Sequence, residues 1–333
     1  MKLFKLSSMT KDLGGFHVAR LLPQIHLHSA GPFVFLDHLG PAVFPPGKGM
    51  DVRPHPHIGL STVTYLFSGK IHHRDSLGNI LDIAPGDVNW MTAGSGIVHS
   101  ERTPPDLRVS GQTLHGLQMW IALPKKDEDI SPSFHHHPRT ELPFWEEQDH
   151  SCRLILGEAF QKKSPVQIHS NLFYLDLHQN LSNPLKMTDF LPREYQGEGQ
   201  FSFVIYPLEG TVQIHFPDSI KAQIKVFDHL STEQQSPDHE KNPIWSVSAK
   251  QFACFQIPAH QVREFLNSLT LTRDAEDTKA HYVLFGGEEL AESRHIFWNF
   301  VSSSKEKIET AKQLWHQQKM GQVPGETEFI PLP

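Results

Sequence analysis

Two histidine-bearing segments with strand-like spacing constrain the fold of this chain more than any other feature. They are Arg-Pro-His-Pro-His-Ile-Gly at 53–59 and Gly-Ser-Gly-Ile-Val-His-Ser-Glu at 94–101. Alternate side chains of an extended strand share a face, so His55 lies beside His57 and His99 lies beside Glu101. If the two strands are neighbours, three imidazoles and one carboxylate surround a single point.

His55, His57, His99 and Glu101 are therefore predicted to be the ligands of one divalent metal per chain. Three imidazole nitrogens with one carboxylate oxygen suit Fe(II), Mn, Ni, Cu(II) or Zn. Such a set leaves a position open for water, substrate or dioxygen, which indicates a reactive metal. The chain has 23 histidines, so an isolated His-X-His pair would mean little, and the prediction depends on the paired spacing.

The residues around these histidines resemble the conserved stretches of the cupin superfamily, G-x5-H-x-H-x4-E-x6-G followed by Pro-Gly-Asp and a last histidine. Gly49 precedes His55 by the required spacing, and Gly69 and Pro85-Gly86-Asp87 also match. Thr62 stands where the pattern has its glutamate, and Glu101 is added after His99. The ligand missing from the first stretch is thus replaced from the second.

The replacement of that glutamate by Thr62 and the addition of Glu101, together with the surrounding residues, resemble the pattern of the pirin family within that superfamily. The matching segments are Gly31–His38, His55–Gly59, Thr62–Leu66, His73–Gly78, Pro85–Gly94, His99–Arg102, Gly116–Pro124 and Trp298–Val301. The resemblance is dense from about residue 10 to 125, thinner to about 265, and clear again from Gly286 to Pro333.

The resemblance implies an all-β bicupin fold, with two antiparallel, jelly-roll-type β-barrels and a short C-terminal helix. A chain of 333 residues accommodates two domains, and short β-rich runs between Pro and Gly turns are typical of barrels. We expect an N-terminal metal-binding cupin at 1–132, a linker at 133–145, a C-terminal cupin at 146–285, and a segment at 286–333 whose helix packs back on the barrels.

A capping box and an apolar stripe predict that C-terminal helix. Ser303 and Glu306 have the spacing of the capping box. The stripe, which we expect to pack against a barrel, consists of Ile308, Ala311, Leu314 and Trp315.

A weak internal repeat relates residues 63–73 to residues 204–214, with Gly69 matching Gly210. On this alignment Gln196 and Glu198 take the places of His55 and His57. We therefore expect the C-terminal cupin to be without metal. Residues 216–248 are polar and predict an extended surface loop.

Other polar residues are weaker candidates. His38, His115 and Gln118 are candidates for orienting the metal ligands or lining a substrate pocket, because metal-bound imidazoles need hydrogen-bond acceptors. The run His135–His137 adjoins Pro138, and neighbouring side chains of a strand point apart, so we interpret it as linker.

Charge and composition exclude other classes of function. The net charge is −7 without a Lys/Arg cluster, which argues against direct binding of nucleic acid. No segment is long and apolar enough to predict a membrane span. Cys152 and Cys254 provide no disulfide framework and the N-terminus lacks a signal-peptide pattern, so we expect a cytoplasmic protein.

The resemblance to pirins implies two alternative functions. One is a quercetinase-type dioxygenase, in which Fe(II) and O2 cleave the ring of a flavonol or similar enol, carbon monoxide is released, and Glu101 accepts the hydroxyl proton. The other is a non-enzymatic regulator, in which Fe(II)/Fe(III) exchange alters a surface that binds a protein partner. Turnover of a flavonol in air discriminates between them. Mn, Ni, Cu and Zn remain alternative metals.

Overall fold

A computed structural model describes residues 1–12, 16–147, 149–180, 183–215, 217–228 and 244–333. The chain forms two compact units, each built mainly of antiparallel strands. The N-terminal unit comprises Thr10–Pro23, Phe33–Arg139 and Leu290–Pro333, and the C-terminal unit comprises Met1–Met9, Gln24–Pro32 and Thr140–Glu289. The predicted all-β bicupin fold with a short C-terminal helix is confirmed.

The strands and helices below are numbered in chain order. The strands are β1 (Lys2–Ser7), β2 (Met9–Asp12), β3 (His17–Leu22), β4 (Phe33–Phe44), β5 (Asp51–His57), β6 (Leu60–Ser68), β7 (Ile71–Asp75), β8 (Ile80–Ile83), β9 (Val88–Thr92), β10 (Ile97–Arg102), β11 (Gln112–Ala122), β12 (Ser133–His137), β13 (Phe144–Glu147), β14 (His150–Ala159), β15 (Lys162–Lys163), β16 (Leu172–Gln179), β17 (Leu185–Lys186), β18 (Gln200–Glu209), β19 (Thr211–His215), β20 (Lys225–Asp228), β21 (Ile244–Ser248), β22 (Gln251–Pro258), β23 (Thr270–Arg273), β24 (Ala280–Glu288), β25 (His295–Phe297) and β26 (Phe300–Ser302). The helices are α1 (Pro105–Ser110), α2 (Asp218–Lys221), α3 (Val262–Ser268) and α4 (Lys305–His316), with short 3₁₀ turns at Lys125–Asp127 and Ala259–Gln261.

The N-terminal unit has its core between two sheets. The larger sheet runs β12-β9-β6-β11-β4-β3-β2 and the smaller runs β5-β10-β7-β8 among the described strands. Leu66 and Leu114 of the larger sheet pack with Ile71 and Ile83 of the smaller sheet. Strand alternation puts these apolar residues on the inner faces, which the polar residues of the site share.

The C-terminal unit is built in the same way, from the sheets β13-β14-β16-β24-β18-β22-β1-β20 and β17-β23-β19-β21. Its core joins Leu175, Phe203 and Leu284 of the larger sheet to Ile214 and Leu271 of the smaller. The first strand, β1, pairs with β22 and β20 of this unit.

The unit boundaries differ from the continuous domains expected from the sequence. Residues 1–9 belong to the C-terminal unit because β1 completes its sheet, whereas Leu290–Pro333 belongs to the N-terminal unit. The expected linker is also partly strand: β12 pairs with β9, and the Nδ1 of His136 lies 2.8 Å from the Oδ1 of Asn89. The linker interpretation of His135–His137 is therefore corrected, because β12 extends the sheet.

The internal repeat is supported at its glycines. Gly69 lies between β6 and β7 and Gly210 between β18 and β19, in each case where the chain passes from the larger sheet to the smaller one, and both glycines have φ of +74°. Gln196 and Glu198, however, precede β18 outside any strand, so they are not structural counterparts of the β5 histidines. The predicted loop at 216–248 is also corrected in part, because it includes α2, β20 and β21, while residues 216 and 229–243 lie outside the described residues.

The C-terminal segment packs on the N-terminal unit, and α4 provides much of the contact. Ile308, Ala311 and Trp315 are buried with Ile58 and Phe300 in one apolar cluster. Leu314, the fourth residue of the predicted stripe, is 38% exposed. No helix in the described ranges is long and apolar enough to cross a membrane.

The capping residue of α4 differs by one position from the prediction. Ser304, not Ser303, accepts a hydrogen bond from the backbone N–H of Lys307 at 3.3 Å. Ser303 binds Glu128 instead, through its backbone N–H at 2.7 Å and its hydroxyl at 3.0 Å.

Glu128 anchors this segment electrostatically. Its side chain is 1% exposed and lies 3.1 Å from the Nε of Arg294, which is 4% exposed. The hydroxyl of Ser302 also donates to Glu128 at 3.0 Å. Two buried charges thus compensate each other at the junction between the segment and the barrel.

We predict that Glu128→Gln lowers the free energy of unfolding by about 3 kcal/mol, because it removes the buried charged partner of Arg294 and leaves only the half-exposed Glu292, 3.7 Å from its Nη1. Urea denaturation followed by tryptophan fluorescence measures the change. Asp129→Asn is the matched control, since Asp129 is 70% exposed in its ion pair with Lys307, and it should change stability by less than about 1 kcal/mol. Equal, small effects of the two substitutions would contradict the prediction.

Candidate metal centre

Three imidazoles converge at the junction of β5 and β10. The two strands pair antiparallel with His55 opposite His99 and His57 opposite Ile97. The Nε2 atoms of His57 and His99 are 3.1 Å apart, and one ligand atom from each of the three histidines lies within 4.8 Å of the others. The same-face spacing in the sequence thus brings His55, His57 and His99 together.

Prolines alternate with the histidines on β5, which is possible because β5 is an edge strand of its sheet. Pro54 and Pro56 lack an N–H and would interrupt a ladder on a central strand. The carbonyl of Pro54 accepts a hydrogen bond from the backbone N–H of Ile330 at 2.8 Å. The C-terminal segment therefore covers this strand beside the histidines.

The hydrogen bonds of the imidazoles fit a metal site. The Nδ1 of His55 lies 2.9 Å from the carbonyl of Arg53, to which it can donate, so that its Nε2 lone pair is directed elsewhere. The facing Nε2 atoms of His57 and His99 can share at most one proton. The buried Nδ1 of His99 has no hydrogen-bond partner among the described residues. A cation that accepts the lone pairs of the facing Nε2 atoms would compensate these two buried nitrogens.

Burial keeps the three imidazoles uncharged. It lowers the pKa of His55 to about 4, and it holds the pKa values of His57 and His99 well below the usual range, with a further lowering by neighbouring imidazoles. Neutral imidazole is the form that coordinates metals. The three side chains are therefore ready to act as ligands at neutral pH.

Glu101 lies on the same wall but outside this set of three. A β-bulge in β5 interrupts the register after His99, so that Glu101 faces Val52. Its Oε1 lies 3.4 Å from the hydroxyl of Thr64, which donates to the Oε1 of Gln118 at 2.8 Å. Burial raises the pKa of Glu101, while His73 and Thr64 oppose the rise. Of the four expected ligands, the structure thus brings three together and leaves Glu101 at the edge.

A cavity of about 430 Å³ opens in front of these residues. Phe35 and Trp120 form one wall, stacked with ring centroids 4.0 Å apart, and the guanidinium of Arg20 lies 4.5 Å from the Phe35 centroid. Arg20 donates to both carboxylate oxygens of Asp37 at 2.8 Å. The remaining lining residues include Gln118, Met50, Ile296, Trp298, Asn299 and Ile330. The site therefore has an aromatic wall beside three uncharged imidazoles that can bind a metal.

Only one of the three weaker sequence candidates borders this cavity. Gln118 does, but His38 follows Asp37 and points to the opposite face of β4. His38 contacts His115, with their Nε2 atoms 2.8 Å apart. The prediction that His38 and His115 line the pocket is therefore wrong, because alternation along the strand turns His38 to the opposite face of the sheet, where it contacts His115.

Sequence reasoning missed several residues of the site. His73 lies opposite Glu101 on β7, its Nε2 is 3.0 Å from Asp75, and its ring stacks on Phe134 at 4.4 Å. Arg20, Phe35 and Trp120 were also missed. Same-face spacing could have indicated Trp120, because it lies two residues after the candidate Gln118 on the same strand.

Comparison with known proteins identifies the family of the chain. The pirin family model matches residues 15–121 and the model of the pirin C-terminal cupin domain matches residues 232–321. A pirin-like protein of Caulobacter vibrioides is 44% identical over 329 residues, which cover 97% of this chain and 96% of the relative.

Solved structures have the same fold. The crystal structure of quercetin 2,3-dioxygenase from Acinetobacter baumannii has a TM-score of 0.77 at 26% identity, over 99% of this chain and 95% of that one. The pirin YhhW from Escherichia coli in complex with nickel(II) has a TM-score of 0.57 at 16% identity, over 86% and 100% of the two chains, and is similar in fold. The chain therefore belongs to the pirin family of the cupin superfamily.

Proposed function

We propose that this protein is a metal-dependent dioxygenase of the quercetinase type, which cleaves the ring of a flavonol or similar enol with O2. The observation that carries the proposal is the convergence of three neutral imidazoles beside an aromatic-walled cavity. The similarity to a quercetin 2,3-dioxygenase of known structure supports it. The volume of about 430 Å³ lies within the range of small-molecule pockets.

His55, His57 and His99 would hold the metal, with Glu101 as a fourth ligand, and Fe(II) is the metal that we propose. A bound Fe(II) supplies a Lewis acid and a redox-active centre for reaction with dioxygen. Glu101 would join the three histidines from the next same-face position of β10, where it borders the same cavity. This set leaves room for a substrate oxygen.

We assign to Glu101 the role of accepting the hydroxyl proton of the enol. Glu101 is an acidic residue two positions after His99 on β10, and it borders the same cavity as the three histidines. A base must lie within hydrogen-bond reach of the proton it takes. Thr64 can support both states of Glu101, since its hydroxyl can donate to the carboxylate or to Gln118. The proton would remain at the Glu101 carboxyl while the ring is cleaved.

The aromatic wall would orient the substrate. Trp120 stacks on Phe35 and contacts His57, with ring centroids 5.1 Å apart, so a planar ring beside Trp120 would lie close to the histidines. Offset or edge-to-face packing of aromatic rings contributes about 1 kcal/mol beyond the area that is buried. The apolar lining also excludes water from the reacting atoms.

We predict that His57→Ala removes one metal ion per chain, because two imidazoles and a displaced carboxylate form an incomplete set of ligands. Elemental analysis of anaerobically purified, Fe(II)-loaded protein measures the loss. His316→Ala, which changes an exposed histidine at the end of α4, should keep the wild-type content. Full iron content in His57→Ala would show that the ion is held elsewhere.

We predict that Glu101→Gln lowers turnover of quercetin by on the order of a hundredfold to ten-thousandfold, the usual contribution of a general base. The amide keeps the size of the side chain and one carbonyl oxygen, so metal content should fall only modestly. Oxygen uptake by Fe(II)-loaded protein measures turnover, and Glu306→Gln on exposed helix surface is the control.

Two outcomes would contradict these assignments separately. Normal turnover of Glu101→Gln would remove its role as the base and leave the metal set intact. If the wild-type protein, fully loaded with Fe(II), takes up no oxygen with any flavonol, the dioxygenase proposal fails.

A further inference from the structure

A second group of metal-ligand side chains lies in the C-terminal unit, away from the barrel core. Asp176 and His178 are two residues apart on β16, and His281 lies opposite His178 on the paired strand β24. Because Leu175 and Leu177 point into the core, Asp176 and His178 project from the opposite face of the sheet. Strand pairing therefore puts two imidazoles and one carboxylate on a common surface.

The three side chains are close enough to share one ion. The Nε2 of His281 lies 2.6 Å from the Oδ1 of Asp176, and the Nε2 of His178 lies 3.9 Å from the same oxygen. One ligand atom from each residue lies within 4.8 Å of the others. Tetrahedral bonds of about 2.1 Å separate ligand atoms by about 3.4 Å, which lies between the two measured distances.

Burial distinguishes this group from a chance surface cluster. The side chains of Asp176 and His281 are only 9% and 10% exposed, whereas that of His178 is 47% exposed. Two ligands are thus held in place, and the third can tilt out of its ring stack on His281, where the ring centroids are 3.9 Å apart.

A further carboxylate lies on the next strand, outside this group of three. Glu209 of β18 lies opposite His281, which puts it on the same face of the sheet. Its carboxylate is half exposed and pairs with Lys279 at 3.0 Å. An exposed ion pair of this kind contributes less than about 1 kcal/mol to stability. The Glu209 carboxylate could therefore leave Lys279 and bind a metal ion.

We propose that Asp176, His178 and His281 form a second divalent-metal site, selective for Zn²⁺ or another nitrogen-preferring ion such as Cu²⁺. Two imidazoles with carboxylate oxygen favour these metals over Mg²⁺ or Ca²⁺. The site is separate in sequence and in fold from the histidines of β5 and β10, and it does not depend on the proposed dioxygenase activity. It departs from the expectation, based on Gln196 and Glu198, that the C-terminal cupin is without metal. An ion there would link β16 to β24 and stabilise the C-terminal unit.

Zinc content of the full chain tests the proposal, with His57→Ala used to disable the N-terminal site. Metal-free proteins are equilibrated with Zn²⁺, freed of unbound metal and analysed for zinc per chain. We expect two ions in the wild type, one in His57→Ala, one in His178→Ala and none in the double variant. His178 is half exposed, so its replacement should leave the fold intact. His260→Ala, an exposed histidine of the same unit, should retain two.

Electron paramagnetic resonance of Cu²⁺ bound to His57→Ala provides a second readout. Coupling to two imidazole nitrogens is expected, and it should be lost in His57→Ala/His178→Ala. If His57→Ala binds no zinc, or if the double variant still binds one ion, the proposal is overturned. In the first case Asp176 and His281 form only a buried hydrogen-bonded pair.

Discussion

The antiparallel register of β5 and β10 is the constraint on which the metal centre depends. It sets His55 opposite His99, and a shift of one residue would turn one set of imidazoles to the other face of the sheet. Burial of these polar rings is unfavourable by about 1–3 kcal/mol for each group that loses its hydrogen bonds. The apolar packing of the barrel must offset this penalty, and a cation that accepts the lone pairs would reduce it.

The C-terminal segment holds this edge of the barrel in place. Gly59 has φ of +67°, and a Cβ on it would lie 1.9 Å from the carbonyl oxygen of Val301, so glycine permits the close approach of β26. The ion pair of Glu128 with Arg294 fixes the start of the same segment, and Ile330 closes over Pro54 near its end. Residues far apart in sequence therefore determine how rigidly the histidines are held and which side chains line the cavity.

The sequence predicts the part of the site that follows from local geometry. Same-face spacing is a property of any strand, and it predicted that His55 lies beside His57. His99 joins them because β10 pairs with β5, as the sequence analysis assumed. The displacement of Glu101 could not be predicted, because a bulge changes the register without a clear signal in the residues. His38 was assigned to the wrong face for a similar reason. It is the residue after Asp37, which lines the cavity, and neighbouring residues of a strand point to opposite faces. The contribution of Trp298 and Asn299 depends on tertiary packing alone.

The two units show how one fold can carry different chemistry on its inner face. In the N-terminal unit, paired residues form a polar row across the larger sheet, from Arg20 and Asp37 through Gln118 and Thr64 to Asn89. In the C-terminal unit the inner face is apolar, with aromatic and aliphatic side chains filling the space between the sheets. Any metal ligands there must project from the other face, where they need no space in the core. The face of each sheet that carries the polar residues therefore decides where in each unit an ion could bind.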